Sequence, residues 1–189
     1  MTRKKFKLTA ETVTWFGRTL FRIEALIDFG NVSKSEKGGF VEAESNVDHD
    51  GNAWVSGNAL VSGNARVSGN ALVYGNAWVS GNALVSDNAR VSGDALVYGD
   101  ARVSERIASA TRSDGYTFTV TPTPDGARII AGCRYFSFDE ARKHWAETRD
   151  GTPLGDESMA IVDCLERLAT IRGFLEPVKD GALAETQVA

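Results

Sequence analysis

The chain has 189 residues, 42% of them hydrophobic and 24% charged, with a net charge of −4 and two cysteines. This balance suits a folded chain, and the negative charge supplies no global field for nucleic acid. No apolar run approaches the roughly 20 residues that span a bilayer, and the N-terminus lacks a signal-peptide core, so a cytoplasmic protein without membrane contact is the expectation. Cys133 and Cys164 sit in unrelated contexts and are expected to be reduced.

In chain order, residues 6–29 read FKLTAETVTWFGRTLFRIEALIDF. Their β-branched and aromatic content, with a turn near Phe16-Gly17-Arg18, predicts a β-hairpin. Residues 34–55, KSEKGGFVEAESNVDHDGNAWV, lead into a repeat. Val41 and Val47 stand 12 and 6 residues before Ala53, in the same register, which predicts an imperfect first coil.

From Asn52 to Ser104 nine six-residue units follow without insertion. Ala recurs at 53, 59, 65, 71, 77, 83, 89, 95 and 101, and Val two places later, from 55 to 103. Two apolar residues separated by one variable residue mark a short strand, in-out-in. The intervening Ser/Tyr-Gly-Asn/Asp tolerates positive φ and turns corners. A period of six excludes pentapeptide coils, and the lack of GGxGxD excludes the calcium-binding nonapeptide coils.

The pattern resembles the hexapeptide repeat of left-handed parallel β-helices. That resemblance implies three hexads per triangular coil, hence about three coils, and a left-handed winding. The expected fold is therefore mainly β: an N-terminal β cap (1–46), a hexapeptide β-helix (47–105), a small C-terminal α+β module (106–175) and a flexible tail (176–189). With 18 residues per coil, the variable positions sort into three outward faces. The first carries Trp54, Leu72 and Arg90; the second Leu60, Trp78 and Leu96; the third Arg66, Leu84 and Arg102. The uncharged second face needs a cover: the chain's own flanks, a second copy in a trimer or dimer, or another partner.

Beyond Ser104 the sequence predicts strands at 116–121 and 127–131. A helix follows, opened by the capping box Ser137–Glu140, and then a second helix near 157–172 with Ile161, Leu165, Leu168 and Ile171 on one stripe. GGFVEAESNVDHDGNAWV, the Gly-Asn-Ala hexads and AGCRYFSFDEARKHW together resemble proteins common in bacteriophages and prophages. This resemblance implies a phage-encoded protein in a host cytoplasm and carries no reaction with it.

Chemistry is sparse. Acyltransferases on the hexapeptide fold use a histidine base, and this chain offers His49 and His144, both outside the perfect hexads. His49 falls six before Val55, in the Val register, and is the weak catalytic candidate; His144 reads as helix surface. Two histidines cannot supply the three metal ligands of a carbonic-anhydrase-type site, so no metal or cofactor is expected. Asp48, Asp50, Asp87, Asp94 and Asp100 read as corner or cap residues, with Asp94 stacked on Asn76 and Asp100 on Asn82. The reading is a non-catalytic binding or assembly scaffold and an inhibitor of a host-defence protein. The alternatives are an acetyl-CoA acyltransferase, a sponge for a small signalling nucleotide and a phage structural component. Interface candidates are Leu60, Trp78 and Leu96, with Trp54, Arg66, Arg90 and Arg102 for a nucleotide.

Overall fold

The computed structural model describes residues 4–105 and 107–175, so the tail expected at 176–189 lies outside the described residues. Two long strands open the chain, β1 (Phe6–Trp15) and β2 (Arg18–Ala25), followed by β3 (Lys37–Val41). Each hexad then contributes one short strand: β4 (Trp54–Val55), β5 (Leu60–Val61), β6 (Arg66–Val67), β7 (Leu72–Val73), β8 (Trp78–Val79), β9 (Leu84–Val85), β10 (Arg90–Val91), β11 (Leu96–Val97) and β12 (Arg102–Val103). These stack into a parallel β-solenoid with three faces, β4-β7-β10, β5-β8-β11 and β6-β9-β12.

The core follows from the two invariant letters of the repeat. Every Ala from 53 to 101 and every Val from 55 to 103 in the hexads is at most 1% exposed. Small and branched side chains alternate inward and fill the prism, each buried Val contributing about 2 kcal/mol. The corner glycines take positive φ, from Gly57 (67°) to Gly99 (69°), with Asp87 (53°) in the same role. Along the edges Asn side chains bond to the coil below: Asn52 to Asn70 (3.0 Å), Asn76 to Asp94 (3.0 Å) and Asn82 to Asp100 (3.1 Å).

At the N-terminal end the first coil departs from the spacing. Val41 pairs with Val61 and Val47 with Val67, twenty residues on, whereas Val55 pairs with Val73, eighteen on. Val41 and Val47 therefore occupy the Val position of their coil and not the Ala register. Two extra residues enter between Val47 and Val55, and His49 sits in this widened corner, outside the Val register. The 3-10 turn Glu44–Asn46 replaces an ordinary corner. Its buried Asn46 accepts from the Ala43 N–H (2.8 Å) and donates to the carbonyls of Gly63 (3.0 Å) and Ala65 (2.8 Å), so one amide satisfies three backbone groups.

The hairpin prolongs one solenoid face. β3 runs parallel to β5, β2 antiparallel to β3 and β1 antiparallel to β2, giving a six-stranded sheet β1-β2-β3-β5-β8-β11. The β1–β2 turn is two residues, Phe16 (φ 45°) and Gly17 (φ 75°), both left-handed, as a hairpin of this twist requires.

Ile107 closes the other end of the prism. The C-terminal unit is a four-stranded antiparallel sheet of β13 (Ala108–Thr111), β14 (Thr117–Thr121), β15 (Arg128–Ala131) and β16 (Arg134–Phe136), covered by α1 (Phe138–Arg149) and α2 (Pro153–Ile171). Ser137 and Glu140 form the capping box of α1. α2 begins four residues before its predicted start, with Thr152 as N-cap and Pro153 in the first turn. Its buried stripe is Ser158, Val162, Leu165 and Ala169, while Ile171 stands 68% exposed. Arg142 of α1 holds α2 through Asp163 (2.8 Å) and Glu166. No helix among the described residues is long and apolar enough to cross a membrane.

Candidate functional site

The outward faces are largely spoken for by the chain itself. Trp54 is 3% exposed, its ring packed against Phe29 (5.3 Å) and Phe6 (6.3 Å) of the N-terminal flank. Leu60 is buried with Leu20 and Phe40, and Val13 and Trp78 pack on them. Leu96 donates its N–H to Thr119 Oγ1 (3.3 Å) under β14. The apolar face Leu60–Trp78–Leu96 is therefore covered by the hairpin at one end and the C-terminal sheet at the other.

The nucleotide candidates are not brought together. Arg66 and Arg102 share a face with Leu84 between them, and Arg90 lies on another. Arg66 pairs with Asp48 (2.6 Å), and Arg102 donates to the Asn82 carbonyl (3.2 Å). Trp54 is buried and Trp78 lies on the second face, away from Arg66, Arg90 and Arg102, so these three arginines form no cluster around an open ring.

His49 is held by its surroundings. The Lys5 backbone N–H donates to Nδ1 (3.2 Å) and the ring stacks on Phe6 at 4.4 Å. The Nδ1 lone pair is thus engaged by the chain's own backbone. Beside it Lys5 is 1% exposed, its Nζ donating to the carbonyls of Asp50 and Gly51 (3.3 Å each). His144 packs against Trp145 (4.6 Å) and Phe136 (5.2 Å), and burial first, then Arg134, pushes its imidazole down. Tyr98 ties the solenoid to the C-terminal sheet through the Arg134 carbonyl (2.8 Å), and burial pushes its hydroxyl up to about 12. Cys133 and Cys164 are both free thiols at the surface.

One corner differs in kind. Ser62-Gly63-Asn64 forms a ridge between the second and third faces, with a cleft on each side. On one side a cleft of about 300 Å³ lies between the ridge and the hairpin tip, walled by Trp15, Phe16, Trp78 and Arg18. Phe16 lies flat against Trp78, centroids 5.3 Å apart and planes at 8°, and Trp15 meets Trp78 edge-on at 6.0 Å. Trp15 is 40% and Phe16 77% exposed. On the other side a cleft of about 450 Å³ is lined by Glu44, Asp48, His49 and Arg66; the two-residue insertion of the first coil shapes it. Gly63 and Asn64 line both.

Glu42 ties the ridge to the hairpin. Its carboxylate accepts the Gly63 N–H (2.7 Å) and the Arg18 guanidinium (2.8 Å). The Gly63 hydrogen bond, with Arg18 adding to it, outweighs partial burial and holds Glu42 below the usual carboxylate range. Trp78 Nε1 reaches Ser62 Oγ at 3.4 Å. Of this corner the sequence reading picked out Trp78, Arg66 and His49. It missed Trp15, Phe16, Arg18, Glu42 and Asn64, although two adjacent aromatics before a turn glycine were a visible signal.

The stacked coils and the Ala/Val core define a β-solenoid repeat protein. The chain is similar to the YdcK beta-solenoid repeat family, whose sequence model matches residues 65–81, 77–93, 83–99 and 89–105. No curated protein matches the chain.

Proposed function

We propose that the chain is a non-catalytic β-solenoid scaffold, encoded by a phage or prophage, that binds a host protein and inhibits host defence. The observation that carries the binding role is the corner of the ridge, where Trp15 and Phe16 are exposed beside two clefts, Phe16 being the most exposed aromatic among the described residues. Exposed aromatic side chains beside concave surface are the residue types on which protein association concentrates. The pinned His49 supports a non-catalytic reading. The resemblance to phage and prophage proteins supports the source and the class of partner.

The immobilised chain is expected to capture one host protein stoichiometrically and reproducibly from a bacterial lysate. The second reading, acyl transfer from acetyl-CoA, draws on the cleft lined by His49. Labelled acetyl-CoA with a panel of amine and alcohol acceptors decides between them: turnover that disappears in His49→Ala sinks the scaffold reading.

A further inference from the structure

We propose that the two clefts flanking Gly63 and Asn64 form one groove for an extended segment of a partner protein, which seats an apolar side chain at Trp15, Phe16 and Trp78. The inference rests on the binding-scaffold reading above and specifies its site and the chemistry of its ligand.

Continuity comes first. Gly63 and Asn64 border both clefts, so a ligand that fills the two passes over the corner between them. Each cleft is of the order that holds a small ligand group, and filling both calls for an elongated molecule. The ends differ in chemistry: one is walled by aromatic rings, the other by the Asp48–Arg66 pair. A polypeptide, alternating side chains along a polar backbone, presents such a sequence of groups.

Charge narrows the ligand further. Arg18 is paired with Glu42, Arg66 with Asp48 and Lys4 with Glu44, at 2.8, 2.6 and 2.8 Å. The cations around the groove are thus already neutralised, which gives an anion such as a nucleotide little to bind and suits an uncharged backbone. At the centre Asn64 donates Nδ2 to Asn82 Oδ1 (3.1 Å), and its own Oδ1 accepts from no described residue. It caps its ladder with a free acceptor where a peptide N–H would cross.

Phe16 supplies the last observation. The first position of this hairpin turn requires φ of 45°, which Asn or Gly adopts at least cost, yet a phenyl group stands there 77% exposed. One face of the ring stacks on Trp78 and offsets part of that strain, and the exposed remainder points to an external role.

A random heptapeptide library panned on the full chain tests this, followed by fluorescence anisotropy with the enriched synthetic peptides. Enriched sequences are expected to share an aromatic or proline residue. Their Kd is expected to rise at least tenfold in Phe16→Gly and in Trp15→Ser and severalfold in Arg66→Ala, with circular dichroism unchanged. Three outcomes overturn the proposal: no enrichment, peptides that bind Phe16→Gly unchanged, or a wild-type dimer that Phe16→Gly dissociates in light scattering, which gives the groove to a second copy. A host protein captured equally by wild type and Phe16→Gly overturns the groove and leaves the scaffold reading standing.

Discussion

Phe16 lies against Trp78 in parallel offset, 5.3 Å between centroids, from a backbone position with φ of 45°. Two opposed terms meet there. The aromatic pair is worth about 1 kcal/mol, and a left-handed non-glycine residue costs about 1–2 kcal/mol. Alanine at 16 loses the stack and keeps the strain, whereas glycine loses both. Phe16→Ala is therefore expected to unfold at lower denaturant than wild type, and Phe16→Gly to recover about 1 kcal/mol relative to Phe16→Ala. Equal midpoints for the two variants would show that the turn stores no strain.

Lys5 carries the pH dependence of the N-terminal cap. Burial, only partly offset by Asp48 and Asp50, pushes its ammonium down to about 8 from a model-peptide value of 10.5. Between those two pH values the unfolded chain holds a proton that the folded chain has released, so stability contributed by this group rises with pH. Below about pH 8 both states are protonated and the folded state bears the full cost of a buried charge. Relative to Lys5→Met, wild type is expected to gain stability as pH climbs from 8 to 10.5. Urea melts of both chains across that window check it, and parallel pH profiles would place Lys5 in open solvent.

How far the sequence carries varies with the length of chain that repeats. Nine identical spacings left one consistent assignment of Ala and Val to the interior, and the strand pairs obey it from Trp54 to Val103. At Val41 and Val47 the spacing of six fits two registers, because both the Ala and the Val positions face inward. The choice is made by tertiary partners, Val61 and Val67, invisible to local pattern. Strands β13 and β16 are short, and β16 has no buried residue, so their alternation was too weak to read. The start of α2 was hidden by Pro153 and Gly155, which signal loops in sequence but here begin a capped helix. The ridge was illegible for a similar reason: Trp15 and Phe16 lie more than sixty residues from Trp78 in sequence and meet only because β3 joins the solenoid sheet.

Gly39 crosses tightly against the first complete coil. A Cβ there would stand 2.7 Å from the Ala59 carbonyl oxygen and 2.7 Å from Val55 Cγ1. The carbonyl is already engaged by the Phe40 N–H at 2.9 Å, so it cannot retreat without breaking the β3–β5 pairing. Gly39→Ala is expected to cost about 1–3 kcal/mol, in the range of an overpacked core. The cost should be accompanied by faster amide exchange at Phe40 and Glu42, both of which donate to that strand. Unchanged exchange at those two amides would mean that the cap adjusts without loosening.

Asp87 and Gly75 make a reciprocal pair of tests on the corners. Asp87 holds φ of 53° where the other hexads use glycine, with Ser86 Oγ donating to its carboxylate at 2.7 Å. Gly75, at φ of 76°, has the backbone N of Gly93 3.0 Å from where a Cβ would stand. Asp tolerates the left-handed region better than most residues, and its hydrogen bond to Ser86 is exposed and local, so the strain relieved outweighs the bond lost. Asp87→Gly is expected to raise the stability of the solenoid by about 0.5–1 kcal/mol. Gly75→Ala adds both strain and a backbone contact from the coil below, and is expected to lower it by about 1–3 kcal/mol. Equilibrium denaturation of the two variants reads both signs, and a loss in Asp87→Gly would assign the Ser86–Asp87 bond a larger part in holding its corner than the backbone geometry does.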